Sequence, residues 1–334
     1  RTKAFGCGNG VTSWKVLNNT PTTRMSTIGG EDSKRQRRSK PKMSSSSSLS
    51  SSSSQLSSAI LDGLHDRADT RTKEWFTNYV KGTTWIGCKT PVVRDVIKKI
   101  LRESKATQNK ATITQGKKKK RKTSSNNDDS NTVSTRISDD GTSSFVATPS
   151  VIMDSAMTLF QHEASDAKMA GILLLSEQYP MDDLATMSTL DEFDTKIWSN
   201  NNAINDWSTC DWFSTKVLSK IVFNTQIPDT DRHMLQRRIL EYARQPNNTL
   251  WHRRCGIVPF LQYHKKRELC LDDIGSEVLR SCEENLLVSP NERFTQTGIG
   301  WVLRYVLQLK KSHPDGQAAM DFVVRHGSVW TIET

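Results

Sequence analysis

Residues 206–222 read DWSTCDWFSTKVLSKIV, and this stretch decides the fold. Set out at about 100° per residue, the angular step of an α-helix, it places Trp207, Val217, Leu218, Ile221 and Val222 on one arc. The spacing predicts a helix with one buried side. Asp211 falls inside that apolar arc. A carboxylate on a buried face is costly unless a cation, a helix end or a functional cleft meets it. Asp211 therefore reads either as the core partner of an Arg or helix end, or as a group that faces a cleft.

The same period recurs on both sides. Helices are expected over residues 59–68, 72–80 and 91–102, then over 150–162, 166–179, 190–198, 229–244, 249–265, 272–286, 290–311 and 315–326. Gly82 and Gly87 mark a turn before Thr90 and Pro91, an N-cap followed by the residue suited to a first helical turn. No stretch alternates with the period of a strand. The expectation is an all-α chain whose short-connected helices form a HEAT-like or armadillo-type helical-repeat solenoid with a concave groove. A globular bundle satisfies the same periodicity, since no strict repeat length identifies an established repeat family.

Two stretches do not read as core. Residues 1–58 form a basic tail with twelve Ser among the fifteen residues 44–58, and residues 104–144 are Lys, Ser, Asn, Thr and Asp with almost no large apolar side chain. Neither can bury enough surface to offset its ordering entropy. A disordered tail and a disordered Lys-rich insertion are thus expected, the one before and the other within a single domain spanning residues 59–334. Of the 334 residues, 235 remain, enough for one core. Tail and insertion carry +8 and +5 of the net +11, so the remainder sums to −2. Any nucleic-acid surface on the folded part must come from a local arrangement of its charges.

Other classes are excluded or weakened by what is missing. No apolar run approaches the roughly 18 residues of a membrane span. The six Cys form no CxxC and the seven His no HExxH, so neither metal nor other cofactor is expected; scattered Cys suit a reducing compartment. The glycines at 6, 8 and 10 lack the strand and helix a phosphate loop requires. The runs Lys34–Lys42 and Lys117–Lys122 read as solvated charge, or as sites for a nuclear import receptor and non-specific phosphate contacts. The chain starts at Arg1, so a targeting peptide is neither shown nor excluded. A monomer in the nucleus is the expectation, an organelle the alternative compartment.

Two further breaks resemble Asp211. Arg254 lies at the centre of a stripe formed by Leu250, Ile257 and Leu261, with Arg253 on its flank. An inward-facing Arg cannot shed its charge and needs an anion, either a carboxylate such as Asp211 or a phosphate. In residues 290–311 the core side is Ile299, Val302, Leu303, Val306 and Leu309, which leaves Trp301 on the other side with Arg304 and Tyr305. A Trp beside cations reads as a stacking or sugar-contact surface, or as a face that a neighbouring repeat covers. Gly298 and Gly300 just before it permit close approach of another backbone.

Four segments together carry a family resemblance: YVKGTTWIGCKTPVVR (79–94), NDWSTCDWFSTKV (205–217), LWHRRCGIVPFLQYHK (250–265) and ERFTQTGIGWVLR (292–304). In order and spacing they resemble the AlkD-like DNA alkylation repair enzymes, alkylpurine DNA glycosylases built from HEAT-like repeats. The likeness covers residues 59 to the C-terminus apart from the insertion. It sets the family's Trp-xxx-Asp element on Trp207 and Asp211, its Trp-x-x-Arg element on Trp251 and Arg254, and its IGWxLR element on Trp301 and Arg304; Tyr79 loosely matches an aromatic near the first turn. The resemblance implies hydrolysis of the N-glycosidic bond of N3- and N7-alkylated purines in double-stranded DNA. Asp211, Trp207 and Trp301 would be the catalytic set, and Arg254, Arg253, Arg304 and Tyr79 the DNA contacts. A non-catalytic nucleic-acid-binding module and a protein-interaction scaffold are the alternatives.

Overall fold

Ser53, Leu56, Ser57, Ile60 and Leu64 are buried at successive three- and four-residue steps and make one face of the first helix, α1 (Ser46–His65). The computed structural model describes residues 46–119, 145–200, 203–270, 272–309 and 313–330. Helix α1 thus begins inside the stretch expected to be disordered up to residue 58. Serine is an indifferent helix former, but a short side chain lets a neighbouring helix come close: Ser155 Oγ donates to the Ser53 carbonyl at 3.0 Å. Tertiary packing, not propensity, makes this helix. The rest of the expected tail (1–45) lies outside the described residues.

Helix α2 (Thr70–Tyr79) is capped by Asp69, whose carboxylate accepts from Thr72 N at 2.8 Å. Helix α3 (Thr90–Lys119) runs well past its expected end at Arg102 and into the insertion. Ser104, the insertion's expected first residue, is buried, and its hydroxyl donates to the Phe145 carbonyl at 2.5 Å. The two ends of the insertion are therefore pinned together; residues 120–144 lie outside the described residues.

Further helices are α4 (Pro149–Phe160), α5 (Ser165–Leu173), α6 (Met181–Leu184), α7 (Met187–Phe193), α8 (Trp207–Phe213), α9 (Ser219–Val222), α10 (Asp229–Arg244), α11 (Leu250–Cys255), α12 (Ile274–Val288), α13 (Arg293–Val306) and α14 (Pro314–Arg325). They pack in two rows. One row runs α3, α5, α8, α11, α13; in the other α1 packs on α4, and α10, α12 and α14 succeed one another. Rungs join α1 to α3, α4 to α5, α10 to α11 and α12 to α13. Helix pairs stacked on their neighbours are the all-α helical-repeat architecture, and no strand occurs among the described residues. No described helix is long and apolar enough to cross a membrane.

The stretch 206–222 is not one regular helix. Helices α8 and α9 flank a π-helical turn, Ser214–Leu218. An added residue in the ladder rotates the N-terminal part of the stretch relative to the C-terminal part, so Trp207 leaves the arc of Val217, Leu218, Ile221 and Val222. Those four are buried; Trp207 and Asp211 lie half-buried on the flank. The stretch 249–265 also divides, into α11 and a 3-10 helix, Val258–Lys265. Pro259 cannot donate to a continuing α-helical ladder. A Cβ on Gly256 would stand 2.3 Å from Ala243 N, so only glycine lets α10 pack there.

Candidate functional site

Two carboxylates fix the frame before any groove residue is placed. Asp166, at the start of α5, accepts from the backbone N–H groups of Ile86 (2.9 Å), Gly87 (2.7 Å) and Cys88 (2.9 Å). Gly87 needs its positive φ of 118° there, and a Cβ on it would lie 2.6 Å from the Asp69 carbonyl. The clamp holds the 80–88 turn, and so the end of α2, against the stack. Asp206 caps α8 through Thr209 N (2.9 Å) and Thr209 Oγ1 (2.7 Å). Tyr79 at the end of α2 and Trp207 at the start of α8 then meet edge to face, ring centroids 5.5 Å apart.

One turn on from Trp207, Asp211 meets Arg254 of α11. Arg254 Nε donates to Asp211 Oδ1 at 2.8 Å and Nη2 to Oδ2 at 3.0 Å, a bidentate fork. Nη1 donates to the Phe294 carbonyl at 2.5 Å and to Thr297 Oγ1 at 3.4 Å. The anion of Arg254 is thus Asp211, one of the two partners its sequence position allows. Only 6% of the Arg254 side chain and 15% of Asp211 reach solvent. Burial pushes the Asp211 carboxyl above the ordinary carboxylate range, against the opposing pull of the Arg254 hydrogen bond and charge. Behind the pair, buried Cys210 and Cys255 pack α8 on α11 with sulfurs 3.5 Å apart.

A cavity of about 470 Å³ opens beside this pair, lined by Tyr79, Lys81, Trp207, Arg254, Arg293, Phe294 and Thr297; of the pair, Arg254 lines it and Asp211 does not. A second, of about 360 Å³, includes Thr215, Ser219, His264, Lys265 and Tyr305 in its lining. Trp207, Asp211 and Thr215 succeed one another at four-residue steps on one side, as do Thr297, Trp301 and Tyr305 on the other, so both cavities fall along the same pair of helix faces. Trp301 lies between them, half-buried and packed on the core, one turn beyond Thr297.

The site residues expected from sequence divide accordingly. Tyr79, Trp207, Asp211 and Arg254 come together, Trp301 continues the same face, and Arg304 is exposed on α13. Arg253 does not join them. It is buried and turned to α12, where Nε donates to Asn285 Oδ1 (3.2 Å) and Nη2 to Ser289 Oγ (3.0 Å), while Nη1 donates to the Asn248 carbonyl (2.5 Å). Its guanidinium is thus committed to three internal acceptors and ties the helices together. Conversely Lys81, Arg293, Phe294 and Thr297 line the groove without being expected there, although all stand within the four family-like segments. Lys81, Arg293 and Phe294 sit at or near helix ends, where periodicity assigns no face, and Thr297 lies one turn into α13. Among the described residues no group of three or more His, Cys, Asp or Glu is placed to hold a metal ion.

Residues 132–330, well over half of the chain, match the family model described as DNA alkylation repair enzyme, a span holding every groove residue except Tyr79 and Lys81. No curated protein and no solved structure matches the chain.

Proposed function

The chain belongs to the DNA alkylation repair enzyme family, and from that premise we propose that it is a DNA glycosylase that hydrolyses the N-glycosidic bond of N3- and N7-alkylated purines in duplex DNA. The observation that carries the reading is a carboxylate, Asp211, fixed by a bidentate Arg beside a groove walled by Tyr79, Trp207 and the cations Lys81 and Arg293. Alkylation at N3 or N7 gives the base a formal positive charge and makes it a good leaving group. The demand on the enzyme is then to stabilise the cationic sugar left behind. A fixed negative charge in a partly desolvated site does this without reorganising at the moment of reaction. Each Asp211 oxygen takes one N–H from Arg254 and keeps further acceptor capacity, for the oxocarbenium ion and for the water that attacks it.

In this reading Arg254 holds Asp211 in orientation, and the bonds it makes leave a single Nη2 hydrogen for a phosphate. Trp207 and Trp301 pack on the sugar and backbone beside the lesion, and Tyr79 and Arg304 extend the contact. The partner is double-stranded DNA containing alkylated purines, bound by a monomer. The runs Lys34–Lys42 and Lys117–Lys122 fit an import receptor, which supports a nuclear location.

One observation favours a second reading, a non-catalytic nucleic-acid module: the bidentate pair goes far to satisfy both partners, as a structural ion pair would. Asp211→Asn decides between them. Base release from methylated duplex, measured per folded molecule under single-turnover conditions without added metal, should fall by at least about 100-fold with little change in duplex affinity. Normal release by the variant rejects Asp211 as the catalytic carboxylate and leaves it the structural partner of Arg254; no release by the folded parent protein rejects the glycosylase.

A further inference from the structure

Helix α2 carries an exposed aromatic pair that the groove does not use up. Trp75 and Tyr79 are 57% and 59% exposed, yet their rings stack on each other, centroids 5.0 Å apart and planes 18° from parallel. They are held from below: Phe76 stacks on buried Trp85 at 4.3 Å, and the Trp85 indole N–H donates to Thr83 Oγ1 at 2.8 Å. Two large, rigid, uncovered rings side by side are unusual, and among the described residues no other aromatic is as exposed.

The pair forms a wall between two cavities. Tyr79 lines the groove beside Asp211 and Arg254, while Trp75 lines a cleft of about 860 Å³ on the other side, with Arg71, Lys89, Phe76, Thr72 and Asp69. The Asp69 carboxylate in that cleft accepts from the Thr72 N–H and hydroxyl, both through Oδ2, and keeps its negative charge. Arg71 and Lys89 are exposed cations. An aromatic face flanked by cations is the combination that holds a single nucleotide: the ring stacks the base and the cations take the phosphate. Charge also selects the base. Arg71 and Lys89 outnumber the one carboxylate of the cleft, Asp69, so the cleft disfavours a cationic N3- or N7-alkylated purine and suits a neutral base.

We propose that this cleft is a second nucleic-acid subsite that takes an unpaired, uncharged nucleobase stacked on Trp75, with its phosphate held by Arg71 and Lys89. The proposal rests on nucleic-acid binding by the chain and not on base release. The unpaired base has two sources, a single strand or the partner strand opposite a damaged position, and they are tested separately.

The experiment measures the affinity of the full chain by fluorescence anisotropy for three probes: an eight-nucleotide oligothymidylate, a duplex with one thymine opposite an abasic site, and the fully paired duplex. Trp75→Ala should weaken the first two by about 5- to 150-fold, the range for one lost stacking contact, and leave the third within about twofold. Loss on the oligothymidylate alone assigns the cleft to free single strands; loss on the abasic duplex as well assigns it to the strand opposite the lesion. Trp75→Phe should restore most of the affinity, and Arg71→Gln with Lys89→Gln should make the salt dependence shallower. Loss on the abasic duplex alone assigns the cleft to the strand opposite the lesion only. Equal affinity of the parent and Trp75→Ala proteins for both oligothymidylate and the abasic duplex overturns the proposal. So does equal loss on fully paired duplex, or competition by polyglutamate as effective as by oligothymidylate. Single-strand binding that depends on Trp75 in a protein without base release would reject the glycosylase and leave this subsite standing. Base release by a protein whose affinities ignore Trp75 would do the reverse.

Discussion

Gly298 makes room for the Arg254 guanidinium: a Cβ at position 298 would stand 2.7 Å from Nη1 and 3.3 Å from Cζ. Helix α13 therefore needs glycine where the side chain from α11 crosses it to reach Asp211. Gly298→Ala should displace the guanidinium and loosen the fork on Asp211. The expected cost is about 1–3 kcal/mol of stability, the range for overpacking a filled site, with base release reduced further than the folded fraction accounts for. Arg254→Lys removes the atoms that collide. The two changes should therefore be markedly non-additive in a double-mutant cycle of melting temperatures; strict additivity would mean that the contact is not where the strain falls.

Adjacent arginines should behave differently. Arg253→Met leaves Asn285, Ser289 and the Asn248 carbonyl without their donor, a loss on the order of 2–3 kcal/mol, while turnover per folded molecule stays within about twofold. Arg304→Gln should leave the melting temperature unchanged and make the slope of log affinity against log salt shallower by about 0.9, one phosphate contact. A stable Arg253→Met protein with weak DNA binding would reverse the assignment.

These differences mark how far the sequence can be read. Asp211 and Arg254 are visible as charges on apolar faces, because helical period gives each residue a face, and pairing opposite charges across two helices needs no coordinates. Period does not say which neighbour a face meets. Arg253 reads as a flank residue and is buried on α12, and Gly298 reads as room for a backbone and receives a side chain. The π turn at Ser214–Leu218 carries no residue type that announces it, so period alone assigns Trp207 to the core arc rather than to the groove wall. The start of α1 is illegible because a run of Ser has no apolar pattern of its own until Leu56 and Ile60 find α4.

His252 supplies a pH dependence. It is buried, stacked on Trp198 at 4.2 Å with rings 9° from parallel, and its Nε2 has no hydrogen-bond partner among the described residues. Burial, with a smaller contribution from Arg238, lowers its pKa from 6.5 to about 3. The folded state thus holds the neutral ring while the unfolded chain takes up a proton below about 6.5. The stability tied to the neutral ring is complete above pH 6.5 and is lost as pH falls towards 3, at up to about 1.4 kcal/mol per pH unit. His252→Phe keeps a stacking ring and removes the proton. Its melting temperature should fall less steeply between pH 6.5 and 4.5 than that of the parent protein; parallel curves would place the ring in contact with water.

Replacing residues 107–144 with a short Gly/Ser linker tests the Lys-rich insertion. Ser104 stays, because its hydroxyl on the Phe145 carbonyl is what closes the gap. With the ends already held together, shortening the loop changes closure entropy little, so the melting temperature should hold within a few degrees. The run Lys117–Lys122 carries six positive charges, and each phosphate it neutralises adds about 0.9 to the salt slope. Contacts of that kind carry no information on sequence or damage. Affinity should therefore fall by the same factor for methylated and unmodified duplex, with single-turnover base release unchanged at saturating protein. An unaltered salt slope would show that the run does not touch DNA, leaving import as its function. A loss confined to methylated duplex would put the insertion at the lesion itself, within reach of Trp207 and Asp211.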